Sequence, residues 1–223
     1  MVRSRISSVN PTAPSVRRRR RPEEAEAEIL DAARALLTER SAQDVTVSAV
    51  MATTTLSRKS FYVYFADRHA LLRRLLEPLA AERDAIIEPV YAAESLMVAG
   101  PPAMQGLARF YARHGRLLRA LAQSSAQDED TRRAWLGFME PVVQAHVKVL
   151  RTEIAAGRVQ GLDPEPTMRA LIAMNLQYFF DELVDSDQPD VGGVAATLVT
   201  IWGRTLYASS GGSGPGSRGG TRR

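Results

Sequence analysis

Residues 46–72, TVSAVMATTTLSRKSFYVYFADRHALL, constrain the fold of this chain more than any other stretch. They hold two short helical patterns and the start of a third, set so closely that little but a helix-turn-helix fits. Val47, Val50 and Met51 give the first helix an apolar face, and the Thr46 hydroxyl is placed to cap it. A Thr-rich corner at 53–55 follows, Leu56 plugs the angle between the helices, and Ser57 caps the second helix. That helix, residues 58–64, carries Arg58, Lys59, Ser60, Tyr62 and Tyr64 on a body formed with Phe61 and Phe65. Cations and phenols together on a short exposed helix suit contact with phosphates and base edges. Asp67 then caps a third helix, in which Leu71, Leu72, Leu75, Leu76 and Leu79 fall at core spacing. On pattern alone, the same residues would also serve an ordinary helical hairpin with a solvated basic face.

The segment upstream is basic. Residues 1–22 contain seven arginines (Arg3, Arg5, Arg17, Arg18, Arg19, Arg20 and Arg21) and no acidic residue. Residues 1–21 lack helical periodicity and are expected to be a disordered arm. Five consecutive Arg before a helix-turn-helix pattern suit tracking a phosphate backbone or entering a minor groove, although a solubilising tail would have the same composition. No apolar run follows the charges, so a signal peptide is not expected. Pro22 opens the first helix at its favoured position, with Glu23, Glu24, Glu26 and Glu28 against the helix N-terminus.

With these residues in view, the N-terminal third resembles the DNA-binding domain of TetR-family transcriptional regulators. Val50-Met51 stand at that family's Ile-Ala pair, Leu56-Ser57 at its Val-Ser, Tyr62 and Phe65 at its Tyr-x-x-Phe, and Arg68 at its Lys. The resemblance implies that Thr46, Ser57, Arg58, Lys59, Ser60, Tyr62, Tyr64 and Arg68 face operator DNA, together with Arg17–Arg21. Thr55 departs from the pattern: it stands where the family usually has a turn Gly, which adopts unusual backbone conformations more easily.

Length and composition agree with this organisation. A chain of 223 residues with 45% apolar content can bury a real core. It has no cysteine, so disulfides, thiolate metal sites and cysteine nucleophiles are ruled out, and a reducing cytoplasm is the expected compartment. The apolar runs are broken by charge, and no membrane span is expected. The net charge of +4 is concentrated in the arm and the tail, leaving a body that need not touch DNA.

Beyond residue 69 the pattern stays helical, and the expected fold is all-α. Pro78 and Pro89 are expected to kink or break the third helix, and the next is expected to start after Gly100-Pro101-Pro102. Pro141 is expected to bend a later one. Residues 22–68 form the helix-turn-helix domain and 69–208 a ligand-binding and dimerisation domain, followed by a Gly/Ser/Arg tail at 209–223. The last two helices are apolar on more than one face. Leu183, Leu198, Ile201 and Trp202 are therefore candidates for a homodimer contact or for intrachain core. The middle helices gather Met104, Leu107, Phe110, Tyr111, Trp135, Phe138, Met139 and Phe179 around two polar groups, His114 and Asn175. Adaptable Met and aromatic side chains suit an irregular apolar ligand, and equally suit a core.

The runs Ala170-Leu171-Ile172-Ala173-Met174-Asn175 and Trp135-Leu136-Gly137-Phe138-Met139 resemble ligand-binding domains of the ethionamide-resistance repressor type. That resemblance implies that Asn175 and Trp135 line a lipophilic channel, and Gly137 and Ala173 are expected beside it. No catalytic constellation emerges. His69, His114 and His146 lie on separate elements with no metal-ligand spacing around them, and no phosphate loop follows a strand. No cofactor or metal is expected. Three functions stay open: a dimeric ligand-responsive repressor of operator DNA, an apolar-ligand binding protein without specific DNA binding, and a sequence-indifferent DNA-binding protein.

Overall fold

The computed structural model describes residues 21–93 and 96–207, which hold eight α-helices and no strand. The expected arm, Arg17–Arg20 included, and the expected tail at 209–223 lie outside the described residues. Helix α1 (Pro22–Glu39) and a single 3₁₀ turn (Ala42–Asp44) lead into α2 (Val47–Ala52) and α3 (Arg58–Tyr64). Then come α4 (Arg68–Ala92), α5 (Leu96–Ser124), α6 (Glu129–Ala155), α7 (Pro164–Phe179) and α8 (Val191–Tyr207).

Short polar side chains start most of these helices by accepting an otherwise unpaired first-turn N–H. Thr46 Oγ1 accepts from Ala49 N at 3.1 Å, and Ser57 Oγ from Ser60 N at 3.3 Å. Asp67 Oδ1 accepts from Ala70 N at 2.7 Å, and Asp128 Oδ1 from Thr131 N at 2.7 Å. Helix α6 ends on Gly157, whose φ of 73° lets the Arg158 N–H reach back to the Glu153 carbonyl at 3.0 Å.

The prolines do not break the helices. Pro78 and Pro89 lie inside an uninterrupted α4, and Pro141 lies inside α6. All three are on exposed positions, and so are Arg74, Ala85 and Gly137 four residues earlier, whose carbonyls can turn to water. Helix α5 likewise begins at Leu96, before Pro101-Pro102 rather than after them. Thr55 escapes strain as well. Among the described residues no non-glycine has a positive φ, and Thr55 donates from both its N–H and its Oγ1 to Glu28 Oε1 of α1, at 2.6 and 2.8 Å.

One apolar cluster runs from Ile29 and Leu37 of α1 through Phe61 and Leu72 to Phe110, Leu118 and Leu198. It therefore crosses the boundary expected at 68/69. Helix α7 passes into a π-helical turn, Phe180–Val184, that no residue pattern announces. Phe179, Phe180 and Leu183 are all buried around that turn. Leu183 and Leu198, expected at a dimer contact, are only 5% and 0% exposed, so they belong to the intrachain core. Ile201 stays at the surface.

A polar junction fastens the first three helices to the rest. Arg68, at the start of α4, donates from Nε to the Val45 carbonyl at 2.9 Å and from a terminal nitrogen to the Ala42 carbonyl. Its other terminal nitrogen reaches Asp128 Oδ1, the cap of α6, at 2.6 Å. Ala42 N donates to Ser124 Oγ at the end of α5, at 3.1 Å. Arg68 is thus turned inward and does not face DNA, contrary to expectation. The fork geometry of a guanidinium, which can span three acceptors at once, accounts for this placement.

Candidate DNA-reading surface and ligand cavity

Helix α3 stands on Phe61, which is wholly buried and packs against Phe65 at a ring distance of 5.4 Å. That anchoring leaves the opposite face to solvent. Arg58, Lys59, Tyr62 and Val63 are exposed, with Tyr62 at 54% and Val63 at 74%. Ser57 and Ser60 are joined through their hydroxyls at 2.9 Å at the helix start, and Tyr64 is half-buried. Arg21 is exposed and pairs with Glu24 at 3.6 Å, at the point where the expected arm meets α1. Val63 is the addition here. Its alternation with buried Phe61 was visible in the sequence, but its chemistry carried no signal for nucleic acid.

A second site lies among the long helices. A cavity of about 170 Å³, with room for on the order of ten waters, is walled by α4 to α8. Of the residues expected there, Met104, Leu107 and Tyr111 of α5, Met139 of α6, and Asn175 and Phe179 of α7 line it. Tyr111 stacks on Phe179 with rings 4.7 Å apart, and burial pushes its phenol up to about 12.

Four expected members lie elsewhere. Phe110 is buried in the main core, edge-on to Tyr111. His114 is held by Glu82 at 2.9 Å. Phe138 lies under the Arg83 guanidinium, 4.2 Å from its ring centre, and Trp135 stacks on Phe138 at 5.6 Å. Gly137 and Ala173, expected beside the channel, are exposed.

Trp202 makes the opposite move, from the expected dimer contact to the cavity wall. Its Nε1–H donates to Asn175 Oδ1 at 2.9 Å. Because the indole can only donate, it fixes the amide: the oxygen faces Trp202 and the NH₂ group faces Met104, with Nδ2 3.9 Å from the Met104 sulfur. Val199, Gly203, Leu206 and Tyr207 complete the α8 wall, at helical spacing around Trp202.

Arg83 and His146 were not foreseen. The Arg83 side chain is 4% exposed. It donates to Asp84 Oδ1 from Nε at 2.9 Å and from a terminal nitrogen at 2.7 Å, and to the Phe138 carbonyl at 2.7 Å. His146 sits edge-on to Tyr91 and Trp202, at ring distances of 5.4 and 5.9 Å. Burial pushes its imidazole below the usual value, outweighing the Val142 carbonyl that its Nδ1 touches, and the Arg83 charge adds to the depression. A buried charge facing an apolar void has no sequence signature beyond its spacing from other wall residues. Among the described residues, no three His, Cys, Asp or Glu gather as a metal site would require, and no helix is long and apolar enough to cross a membrane.

Both regions fall within stretches that match known families. Residues 29–75 match the family described as "Bacterial regulatory proteins, tetR family", and residues 102–208 match "Transcriptional regulator EthR, C-terminal domain". The chain is 27% identical over 205 residues to the HTH-type transcriptional regulator EthR of Mycolicibacterium smegmatis, an alignment spanning 88% of this chain and 93% of the relative. Among solved structures, it shares its fold with NalD, the secondary repressor of the MexAB-OprM multidrug efflux pump in Pseudomonas aeruginosa. The TM-score is 0.69 at 19% identity, covering 85% of this chain and 100% of NalD. A second such structure is the regulator FadR of Bacillus subtilis in complex with stearoyl-CoA. There the TM-score is 0.65 at 14% identity, covering 78% and 96% of the two chains.

Proposed function

This chain belongs to the TetR family of bacterial regulatory proteins, with a C-terminal domain of the EthR type, and from that premise we propose that it is a dimeric transcriptional repressor released from operator DNA by a lipophilic small molecule. One observation carries the reading: α4 begins inside the helix-turn-helix unit and ends in the wall of the apolar cavity. A ligand that prefers one setting of α4 thereby acts on the position of α3, and a preference of a few kcal/mol is enough to shift the population strongly.

In this reading Arg58, Lys59 and Tyr62 meet the major groove, and the arm at 1–21 adds phosphate contacts. Two copies associate through the exposed faces of α7 and α8. There Ala170, Ala173, Ala196, Thr197 and Thr200 are small enough to admit close helix approach, and Ile201 supplies apolar area. The dimer then sets two α3 helices about one DNA turn apart, roughly 34–36 Å, or a multiple of it. The protein does this work in the cytoplasm, without catalysis. The FadR structure of the same fold holds stearoyl-CoA, and the long apolar chain of that molecule is the kind of group the apolar wall here suits.

Selection of binding sites from a random DNA library tests the reading. The expected outcome is enrichment of a two-fold symmetric sequence by the wild-type protein, and none by a Lys59→Ala/Tyr62→Phe double variant. Retention of all sequences alike, with affinity set only by salt, would instead identify a sequence-indifferent DNA-binding protein. Absence of DNA binding altogether would leave an apolar-ligand protein.

A further inference from the structure

We propose that His146 is the specificity-determining residue of the cavity and selects uncharged apolar ligands that carry a hydrogen-bond donor, a hydroxyl or an amide N–H. The inference rests on the reading of the cavity as the ligand site and names the class of ligand it takes.

His146 Nδ1 lies 2.9 Å from the Val142 carbonyl oxygen. A carbonyl only accepts, so Nδ1 carries the proton. The Tyr91 hydroxyl, 3.3 Å away, also lies on Nδ1. In a neutral imidazole the other nitrogen is then a bare acceptor, and the burial described above keeps the ring neutral. Nε2 meets no hydrogen-bond partner among the described residues, and it is not a sealed, unsatisfied atom either. His146 lines the cavity, so Nε2 is left for whatever occupies it.

The other polar groups of the wall have different capacities. Asn175 has one lone pair of its oxygen taken by Trp202 and presents its N–H donors on the other side of the amide. Arg83 can only donate, and its charge is matched by Asp84. The Tyr111 phenol can donate or accept. The Tyr207 hydroxyl donates its proton to Glu153, and His146 Nε2 is an acceptor on the wall whose lone pair no group among the described residues takes up. A ligand oxygen finds donors at several points, whereas a ligand O–H or N–H placed beside His146 finds its acceptor there. A carboxylate placed there would face a lone pair, and would bind only by taking up a proton onto the ring. Trp202 ties the donor and acceptor positions together, because it bonds Asn175 and packs edge-on to His146.

The test uses three probes of equal chain length, 1-decanol, decyl methyl ether and decanoate, titrated calorimetrically against the full chain at pH 8. The wild type should bind the alcohol about 5–10-fold more tightly than the ether, the ordinary worth of one hydrogen bond, and more tightly than decanoate. His146→Phe should reduce alcohol binding to the level of the ether and leave the ether within about twofold. His146→Gln, which restores an acceptor, should recover part of the preference. Each variant is accepted only if its thermal midpoint stays close to wild type, and the Gln variant keeps the question answerable if Phe does not fold.

Equal binding of alcohol and ether by the wild type overturns the proposal, and so does a preference that survives in His146→Phe. Tighter binding of decanoate than of decanol overturns it in favour of an acid site at Arg83. If none of the three binds, the cavity is not the ligand site and the reading beneath the proposal fails with it.

Discussion

Arg68 occupies a position where the family resemblance implies a DNA contact, yet its guanidinium spends its donors inside the protein, on two loop carbonyls and Asp128. Its side chain is 12% exposed and that of Asp128 20%, so the pair is shielded enough for its loss to matter. Replacing Arg68 by Met leaves the Ala42 and Val45 carbonyls short of a donor and Asp128 short of its counter-charge. The expected cost is about 2 kcal/mol, seen as a fall of roughly 4–8 °C in the thermal midpoint. Acid acts on the same group. Burial on its own would raise the Asp128 carboxyl, but hydrogen bonds from Thr131 and Arg68 and the Arg68 charge outweigh it and hold the group below the usual carboxylate value. A folded-state value below the unfolded one adds stability that is complete above the unfolded value and drains away as pH falls through the folded one. Thermal midpoints measured downward from pH 6 should therefore decline less steeply for Asp128→Asn than for wild type. A parallel decline in both proteins would remove Asp128 from the acid response.

At the scale of the helix, the exposed face of α3 and the cavity face of α8 can each be tested by one change. Lys59→Ala should flatten the salt dependence of operator affinity by about 0.9 in slope if its contact is a phosphate, and Tyr62→Phe should cost about 1 kcal/mol, both read by anisotropy titration over a salt series. On α8, a Cβ built at Gly203 meets nothing within 4 Å, and the residue lies in the same cavity-facing stripe as Val199, Trp202 and Leu206. Gly203→Phe should occupy the cavity, lower decanol affinity at least about tenfold, and weaken operator binding as a ligand would. Normal DNA binding with normal ligand release in that variant would separate the cavity from the switch.

Most helices were legible, because Thr46, Ser57, Asp67 and the Asp163-Pro164 pair announce their starts and apolar periodicity fixes their faces, whereas the cap Asp128 falls in a stretch that reads as loop. What a face meets was less legible. Met104, Leu107 and Tyr111 share one stripe of α5 with the cavity, while Phe110 and His114 lie on the next stripe, turned toward the core and Glu82. Trp135 continues the stripe of Met139 and His146, but one turn short of the cavity. Periodicity orders residues around an axis, and it carries no information on where along that axis a void lies or which helix closes it. The prolines do not interrupt their helices for a related reason: an exposed proline costs α4 one hydrogen bond and no packing.

For the whole molecule, the proposed dimer face is the outer surface of α7 and α8, while Leu183, Leu198 and Trp202 work within the chain. Ile201→Asp, at a side chain 36% exposed, should therefore leave the fold intact and shift sedimentation at micromolar concentration from dimer toward monomer, with loss of operator affinity. An unchanged dimer would move the interface elsewhere. Removing residues 1–21 should lower affinity for operator and random DNA by similar factors, since a run of arginines contributes charge and little sequence discrimination.

The Asp128 oxygen that grips Arg68 also accepts the Thr131 N–H that closes the first turn of α6. Releasing the DNA-reading unit takes one donor away from that oxygen and loosens the carboxylate that caps α6. In amide hydrogen exchange the Thr131 N–H becomes a reporter of undocking: it should exchange faster whenever the helix-turn-helix swings free, although it lies on α6 and outside that unit.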